Sequence, residues 1–344
     1  MARRLPAEWE PQSGVQLTWP HPGTDWAPRL AAVEPVFAAI GASIARHESL
    51  LVVCQDADHR AQVLAQLAHA GADLDRVQLG IAPADDTWAR DHGPITVLQD
   101  DGPILLDFTF NGWGGKFEAG HDNLLTRNLA AQGRFGTVPV EAVDLVLEGG
   151  SIESDGAGTV LTTSRCLLEP NRNPGLSRAE LEAQLGQHLG AIRVLWLEHG
   201  GLEGDDTDGH IDTLARFCDP ETIAFVVCTD RNDPHYRDLA AMAGELENLR
   251  QVSGEPYRLL PLPLPAPIVE DGHRYAATYA NFLIINETVL VPVYGDPADD
   301  IALETIAAAF PGRSVVGIDC REIIRQGGSL HCLTMQFPQG ILPA

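Results

Sequence analysis

The stretch that decides the fold class covers residues 159–197 and reads TVLTTSRCLLEPNRNPGLSRAELEAQLGQHLGAIRVLWL. It begins with the β-branched run TVLTT (159–163) and ends with the apolar run IRVLWL (192–197). Short apolar runs of this kind, bounded by turn residues, predict buried strands. Between them, Ser177 followed by Glu180 forms a capping box ahead of an apolar-periodic stretch, which predicts the start of a helix. The stretch therefore predicts a strand–helix–strand unit of an α/β protein.

The same alternation of strand and helix continues along the whole chain. Further strands are predicted at residues 15–19, 49–54, 77–82, 103–110, 223–228, 282–294 and 313–318. Helices are predicted at residues 177–189 and near 29–47, 58–70, 236–249 and 298–309. Units that recur every ~60–70 residues fit a closed array of similar modules. Because no charged or low-complexity linker divides the chain, we predict a single α/β domain over residues 1–344.

One proline-rich segment interrupts this pattern. RLLPLPLPAPIVEDG (258–272) has prolines at alternate positions, which suit an extended connection rather than a helix. We expect it to form a long surface loop within the domain.

The 344-residue chain is strongly acidic, with a formal net charge of −25 and Lys116 as its only lysine. Such a charge repels nucleic acid and anionic lipid and attracts small cations. The sequence therefore predicts no nucleic-acid or membrane partner, and it leaves open whether the charge steers a cationic substrate or only solvates the surface.

The six cysteines, at 54, 166, 218, 228, 320 and 332, are scattered without C-x-x-C spacing. This spacing argues against a zinc ribbon or a dithiol redox motif and predicts free thiols. The N-terminal sequence MARRLPAEWEPQ lacks the apolar stretch of a signal peptide, and no window contains 18 uninterrupted apolar residues. We expect a cytoplasmic protein.

Two acidic residues stand out from the structural pattern. In DDTWARDHGP (85–94), an extended backbone would present Asp91 alone on one face, and the alternative is an ordinary surface turn. In DLVLEGGSIESDG (144–156), Glu148 ends an apolar run and two glycines leave room for another backbone or a ligand. A glutamate at the end of a buried strand needs a partner, and a histidine is suitable because a carboxylate fixes its tautomer.

A third segment, EHGGLEGDDTDGHIDTLARF (198–217), is acidic and rich in glycine before it reaches HID. On a strand, His210 and Asp212 would share a face and point into one pocket. The loop lacks the EF-hand spacing of a calcium site. No H-E-x-x-H or related spacing supports a transition-metal site, so no metal is predicted.

Near the C-terminus, QGGSLHC (326–332) places Cys332 after two glycines, as a core residue or as a nucleophile. A guanidinium is a planar cation that two carboxylates can clamp, and a thiolate above its plane can add to its carbon. This chemistry requires a nearby imidazolium to lower the pKa of the thiol. We expect His331 to face away from Cys332 and either to pack or to support the site from behind, rather than to act as the base.

At this point the residues carry a family resemblance. The motifs WARDHGP, FNGWGGKF, LEGGSIESDG, HGGLEGDDTDGHIDTLARF, YANFLIIN and GGSLHC run in the same order in the agmatine deiminase and bacterial-type peptidylarginine deiminase family of the guanidine-modifying pentein superfamily, which the chain strongly resembles over nearly its whole length. The resemblance implies an α/β propeller of five pseudo-symmetric ββαβ-type modules around a central channel that holds the active site. It also implies hydrolysis of a guanidino group without a metal or organic cofactor.

The resemblance implies roles for named residues. Cys332 would be the nucleophile that forms a thiouronium intermediate, His210 the general acid/base, and Glu148 the residue that orients His210. Asp91 and Asp212 would hold the guanidinium. Further substrate-binding positions that match the family motifs are Trp113, Asn281 and Gly328.

The expected substrate is agmatine, which would give N-carbamoylputrescine and ammonia. The loop after the Asp91 segment offers Trp113 and Lys116 rather than an arginine pair that would read a carboxylate, and the acidic 203–208 loop suits a diamine-like cation. Peptidyl-arginine and free arginine are the alternatives, and amidino transfer or cation binding without turnover are more remote. The resemblance also allows a homodimer.

Overall fold

The computed structural model describes residues 3–342, so residues 1, 2, 343 and 344 of the predicted domain lie outside the described range. The chain alternates strands and helices throughout, which confirms the predicted α/β class. The strands are β1 (Gln12–Thr18), β2 (Ser49–Cys54), β3 (Val77–Ile81), β4 (Ile95–Gln99), β5 (Gly102–Thr109), β6 (Val140–Val146), β7 (Ile152–Ser154), β8 (Thr159–Thr163), β9 (Arg193–Leu197), β10 (Ala215–Asp219), β11 (Thr222–Val227), β12 (Arg258–Pro263), β13 (Val269–Glu270), β14 (His273–Arg274), β15 (Leu283–Ile284), β16 (Thr288–Val293), β17 (Ser314–Asp319) and β18 (Thr334–Pro338).

The helices lie between these strands. The longer ones are Leu30–Ala45, Ala57–His69, Leu125–Ala131, Arg178–Leu189, Tyr236–Asn248 and Ala298–Ala309, and single helical turns lie at Ala89–His92, Gly112–Gly115 and Ser164–Leu167. The longer helices were predicted from their periodicity except Leu125–Ala131, which was missed together with the single turns. Ser177 caps its helix as predicted, with its hydroxyl accepting from the backbone N–H of Glu180 and the Glu180 carboxylate accepting in return.

One pairing scheme is repeated around the molecule. Three-stranded sheets form in the orders β4-β5-β6, β7-β8-β9, β10-β11-β12 and β15-β16-β17, and β18-β1-β2-β3 forms a four-stranded sheet. In each of these sheets the first two strands pair antiparallel and the next pair is parallel. A helix precedes the second strand of every parallel pair, because a parallel connection needs a crossover of that length. The strand–helix–strand unit predicted from residues 159–197 is therefore the repeating element of the fold.

The proline-rich segment is a correction to the sequence analysis. Residues 258–263 are not a loop but form β12, which pairs parallel with β11 at the edge of its sheet. An edge strand tolerates proline because every second residue turns its backbone nitrogen away from the neighbouring strand, and Pro261 and Pro263 are two apart. The predicted strand 282–294 is likewise wrong in detail, since it folds as the antiparallel pair β15–β16.

The segment Ala27–Ala45 is long and apolar enough to cross a membrane by length and composition alone. In the fold, Val33, Phe37, Ile40 and Ile44 of this segment are fully buried and belong to the same hydrophobic cluster as residues of β1 and β2. The apolar face of this helix is thus used to build the core.

The strands that open each sheet share a feature that places the site. The segments directly before β4, β7, β10, β15 and β18 contain every residue to which the resemblance gives a catalytic role, together with Asn281. We call them the pre-strand turns, residues 89–94, 148–151, 209–214, 280–282 and 329–333. The repeated sheet therefore presents one such turn per repeat.

Candidate active site

Asp91 lies in a single helical turn, Ala89–His92, rather than on the extended segment that the sequence analysis considered. Its side chain is buried, and its oxygens accept hydrogen bonds from Nε1 of Trp113 at 3.0 Å and from the backbone N–H of Gly150 at 3.1 Å. Burial raises the pKa of the Asp91 carboxyl well above its usual value, and the nearby Asp212 and Glu148 raise it further. The free protein therefore holds a proton on this carboxyl up to a higher pH than an exposed aspartate would.

His210 and Asp212 are buried neighbours, but not on a strand as predicted. His210 directly precedes the 3₁₀ turn Ile211–Thr213, and this tighter turn brings the two side chains to the same site. Across residues 3–342 neither ring nitrogen of His210 has a hydrogen-bond partner; Nδ1 lies 3.5 Å from the nearer oxygen of Asp91. Burial lowers the pKa of His210 to about 3, so its imidazole is neutral.

Gly150 is the point at which these groups converge. A Cβ atom on this glycine would lie 2.6 Å from Nδ1 of His210, 2.9 Å from Oδ1 of Asp91 and 3.2 Å from Oδ2 of Asp212. Any side chain at this position would therefore displace the catalytic candidates. The prediction that the glycines after Glu148 permit a close approach is confirmed.

Glu148 does not bond to His210 as the sequence analysis expected. Its oxygens lie 2.9 and 3.0 Å from Nε of Arg172, whereas the nearest approach to Nε2 of His210 is 4.0 Å. Arg172 also donates through Nη1 to Asp208 at 2.7 Å. A fully buried carboxylate takes the stronger charged donor when one is within reach, so the partner of Glu148 is the guanidinium and not the imidazole.

Cys332 lies in a 3₁₀ turn just before β18, and its thiol is buried. Sγ is 3.4 Å from Oδ1 of Asn281 and 4.0 Å from Oδ2 of Asp212. Burial raises the pKa of the Cys332 thiol well above its usual value, and Asp212 and Asp91 raise it further. The sequence analysis expected a nearby imidazolium to lower this pKa. In the free protein His210 cannot have that effect, because its imidazole is neutral.

The three remaining predicted positions, Trp113, Asn281 and Gly328, lie next to Asp91 and Cys332 or line the same cavity. Nε1 of Trp113 bonds to Asp91, and Oδ1 of Asn281 accepts from the backbone N–H of His331 at 2.9 Å and of Cys332 at 3.3 Å. A Cβ on Gly328 would lie 2.2 Å from the ring of Trp88, so only glycine fits between the indole and the cavity. Asn281 thus fixes the turn that carries the thiol.

A surface cavity leads to these residues. Its buried walls are formed by Asp91, Trp113 and Cys332, and its exposed rim includes Asp25 and Asp206. Lys116 lies next to this rim. Its Nζ donates to the backbone oxygen of Asp206 and to a carboxylate oxygen of Asp208, each at 2.7 Å.

Arg325 is the cationic residue on the cavity wall among residues 3–342. Its guanidinium forms an ion pair with Glu270 and lies 3.5 Å from Glu322. Its charge is therefore compensated within the protein.

Two groups of residues have the donor types of a metal site. Glu148, Cys166 and His210 form one, and Glu8, Glu153 and His331 form the other. A guanidinium already lies against the carboxylates in both, Arg172 in the first and Arg216 in the second. The positive charge that each group needs is thus supplied by arginine.

The sequence analysis missed three members of the site. Glu8, Arg172 and Arg216 are buried and compensate the charges around the candidates. A buried arginine or glutamate has no local pattern, and each of these is more than 20 residues from its partner, as the pairs Arg172–Glu148 and Arg216–Glu8 show. His331 was expected to pack or to support the site from behind, and it bonds to Glu8 and Asp212.

Comparison with known proteins places this site in a family. The family model described as Porphyromonas-type peptidyl-arginine deiminase matches residues 4–338. The chain is 37% identical to an agmatine deiminase of Stutzerimonas stutzeri, with 97% of this chain and 95% of that protein covered. A solved structure from Porphyromonas gingivalis, named as a candidate arginine deiminase, has a TM-score of 0.94 at 52% identity, with 99% of this chain and 100% of that chain covered.

A second solved structure shows a C. jejuni agmatine deiminase, a cysteine-to-serine variant with substrate bound. It has a TM-score of 0.91 at 35% identity and covers 99% of this chain and 97% of that one. These likenesses confirm the resemblance found in the sequence motifs and give the chain an α/β pentein fold. The chain belongs to the Porphyromonas-type peptidyl-arginine deiminase family, which includes agmatine deiminases.

Proposed function

We propose that this protein hydrolyses the guanidino group of agmatine to give N-carbamoylputrescine and ammonia. The observation that carries the proposal is the convergence of Asp91, His210 and Asp212 around Gly150, with the thiol of Cys332 beside Asp212. Two buried carboxylates beside a thiol fit a planar cation, and the thiol and a neutral imidazole supply nucleophile and base. The agmatine deiminases of S. stutzeri and C. jejuni support this assignment by their similarity.

The first half-reaction forms a covalent intermediate. Sulfur of Cys332 bonds to the guanidinium carbon, and the bond from that carbon to a terminal nitrogen breaks. His210 accepts the thiol proton and gives it to the leaving nitrogen, which departs as ammonia. The product is a cationic thiouronium on Cys332, so atoms and charge balance. A neutral His210 without hydrogen-bond partners among residues 3–342 is suited to accept that proton.

The second half-reaction consumes water. Its oxygen bonds to the thiouronium carbon, the carbon–sulfur bond breaks, and Cys332 recovers its thiol. One proton is released to solvent and the ureido product leaves. His210 removes a proton from the water in this step, which reverses its earlier role as an acid.

The substrate itself supplies the charge that activates the thiol. Asp212 and Asp91 oppose ionisation of Cys332 in the free protein, and burial opposes it most. A bound guanidinium neutralises these carboxylates and favours the thiolate. The cation is therefore both reactant and activator, which protects the free enzyme from oxidation of the thiol.

The cavity rim favours a substrate with a cationic far end. Asp25 and Asp206 line it, while the charge of Arg325 is already paired with Glu270. Agmatine ends in an ammonium, whereas free arginine adds a carboxylate that this rim repels. Arg325 is the one feature here that favours arginine or peptidyl-arginine. To bind it, however, a substrate carboxylate would have to displace Glu270 from its guanidinium.

The repeated pairing scheme supports a finer description of the fold. We infer five ββαβ-type modules arranged as a propeller, each contributing one pre-strand turn to a central channel. The whole chain, residues 1–344, would then form one catalytic domain. A cytoplasmic location and a homodimer are also part of this proposal.

Ammonia release tests the proposed reaction. Wild type, Cys332→Ala and Cys228→Ala are each incubated with agmatine, free arginine and a blocked arginine peptide. Release from agmatine alone, lost in Cys332→Ala and kept in Cys228→Ala, supports both reaction and substrate. Release from arginine or the peptide alone overturns the substrate, and release that survives in Cys332→Ala overturns the nucleophile. Mass spectrometry of the organic product distinguishes hydrolysis from amidino transfer.

A further inference from the structure

His331 links two buried carboxylates behind the candidate nucleophile. Nδ1 lies 2.8 Å from Oδ2 of Asp212, and Nε2 lies 2.7 Å from Oε2 of Glu8. All three side chains are at least nine-tenths buried, and they come from distant parts of the chain. The result is a continuous chain of short contacts, Glu8–His331–Asp212, that ends 4.0 Å from Sγ of Cys332.

Simple proton counting constrains this chain. A neutral imidazole has one N–H donor and one acceptor nitrogen, and an ionised carboxylate can only accept. Two short N···O contacts to two carboxylates therefore require one proton more than a neutral imidazole carries. That proton resides either on the imidazole or on one of the carboxyl groups.

The surrounding charges favour the imidazole. Besides His331, the buried cluster contains the carboxylates of Glu8, Glu153 and Asp212, and two guanidiniums face them. The guanidinium of Arg216 lies 2.9 Å from Glu8, and that of Arg90 lies 3.9 Å from it. Burial raises the pKa of Glu153 to about 7, so once Glu153 is ionised three negative groups face two positive ones, an imbalance that is costly in a buried site. An imidazolium brings the cluster to neutrality.

The pKa values of the two carboxylates agree with this assignment. Burial opposes ionisation of Glu8 and Asp212, but their charged neighbours, His331 among them, hold the pKa of each carboxyl below its usual value. For His331 itself, burial and the two arginines outweigh both carboxylates and lower the pKa below its usual value, so the two short contacts, and not this pKa, carry the assignment.

The free oxygen of Asp212 points to the consequence. Oδ2 is occupied by His331, whereas Oδ1 is buried and has no hydrogen-bond partner in the described part of the chain. An unpartnered buried carboxylate oxygen, on a residue whose other oxygen lies 4.0 Å from the thiol, is available to a guanidinium. His331 thus fixes which oxygen of Asp212 meets the substrate.

We propose that His331 is a positioning residue for the proposed reaction: as an imidazolium bridging Glu8 and Asp212, it keeps Asp212 anionic and aims its free oxygen at the guanidinium. The Glu8 end borders a second cavity, also lined by His331 and Arg90, through which the chain can exchange protons with solvent. This inference rests on the proposed function for its kinetic consequence only. The protonation state of His331 is independent of which substrate is turned over.

Nitrogen NMR of the wild-type protein tests the protonation state directly. With ¹⁵N-labelled histidine, and with the signals assigned by their loss in His331→Asn, we expect both ring nitrogens of His331 to carry protons at neutral pH. His210 serves as the internal comparison and should show one protonated nitrogen. A neutral His331 with a single protonated nitrogen overturns the proposal, whether or not any guanidino substrate is hydrolysed.

Two substitutions separate positioning from packing. Asn places an N–H donor where Nδ1 of His331 contacts Asp212, and Gln places one where Nε2 contacts Glu8. If the contact to Asp212 positions the substrate, His331→Asn keeps a KM for agmatine close to wild type while His331→Gln raises it tenfold or more. Equal effects of both on KM, with equal losses of Tm, would indicate a packing role and contradict the proposal.

A third variant, Glu8→Gln, keeps the acceptor oxygen but removes its charge. Loss of an anion 2.7 Å from the ring lowers the pKa of His331, so the alkaline limb of kcat/KM should move to lower pH by about one unit or more. An unmoved limb in a folded variant contradicts an imidazolium. Inactivity of the wild type towards every guanidino substrate would instead refute the proposed function and leave the NMR result standing.

Discussion

His210 and His331 lie on two pre-strand turns and are both fully buried, yet their surroundings are opposite. Neither nitrogen of His210 meets a hydrogen-bond partner within residues 3–342, while both nitrogens of His331 meet a carboxylate within 2.8 Å. A buried polar group without a partner costs stability, so its presence indicates a function that requires free nitrogens. An imidazole that is hydrogen-bonded through both ring nitrogens instead stabilises its surroundings. The two histidines thus divide proton transfer and charge compensation between them.

The largest effect should come from His210. Its replacement in His210→Gln removes the group that moves protons, and general acid–base catalysis of this kind contributes about 10²- to 10⁴-fold, so kcat for ammonia release should fall by that factor. Because the His210 ring makes no hydrogen bond within residues 3–342, the free energy of unfolding should change by less than about 1 kcal/mol. Steady-state kinetics and urea denaturation measure the two quantities.

A large loss of stability in His210→Gln would contradict the division of roles. Retained kcat would exclude His210 as the base and return that role to another group near Cys332.

Unlike His210→Gln, His331→Ala should cause a large loss of stability. The substitution leaves Glu8 and Asp212 buried without their shared cation, and breaking a buried ion pair costs about 3–5 kcal/mol. Urea denaturation against the wild type at neutral pH should reveal that loss. His331→Ala in the Glu8→Gln background is the matched control, where removal of one charge should recover part of the stability.

The same contrast explains what the sequence could and could not predict. The peripheral strand–helix–strand units were found because their apolar periodicity is local, as in β2, β8 and the helix capped by Ser177. Strands β7 and β10 were missed because they carry Glu153 and Arg216, buried charges that break the apolar pattern. Glu153 and Arg216 pair with each other although they are far apart in the sequence, so neither can be recognised from its local sequence.

The site residues divide in the same way. Asp91, His210 and Cys332 were identified from motifs and chemistry, and the structure brings them together. The strand geometry assumed for His210 and Asp212, and considered for Asp91 beside a surface turn, is a 3₁₀ or helical turn in the structure, because four residues contain too little periodicity to decide. The prediction that His210 is the partner of Glu148 was wrong for a different reason. Arg172 comes from a loop whose path depends on the whole fold.

Substrate binding should distinguish Asp91 from both histidines by its pH dependence. Burial, Asp212 and Glu148 raise the pKa of Asp91, so over the pH range in which this carboxyl is protonated in the free protein the bound guanidinium must expel its proton. Affinity for agmatine should therefore rise with pH, by up to about tenfold per unit, until the pH exceeds the pKa of Asp91. Calorimetry with the Cys332→Ser variant, in buffers of different ionisation enthalpy, measures both affinity and released protons.

The same titration in Cys332→Ser/Asp91→Asn should show weaker binding and no proton release. His210→Gln in the Cys332→Ser background should leave the proton count unchanged, since His210 is already neutral. If proton release disappears with His210 instead, the assignment of that proton to Asp91 is wrong.

The smallest effect should come from a third histidine that differs from His331 chiefly in exposure. Nδ1 of His199 lies 2.6 Å from Oε1 of Glu245, and this hydrogen bond raises the pKa of His199, whose side chain is 49% exposed. Solvent screens such a pair, so His199→Ala should lower stability by no more than about 1 kcal/mol, with unchanged kcat.

The sign of its pH dependence follows from the raised pKa. The contact stabilises the fold fully below the unfolded pKa of about 6.5 and is lost as pH rises through the folded pKa, so wild type and His199→Ala should converge in alkaline solution. Thermal denaturation at acidic and alkaline pH measures this difference. A loss as large as that of His331→Ala would mean that exposure does not weaken the contact, and that burial of His331 is not the origin of its larger contribution.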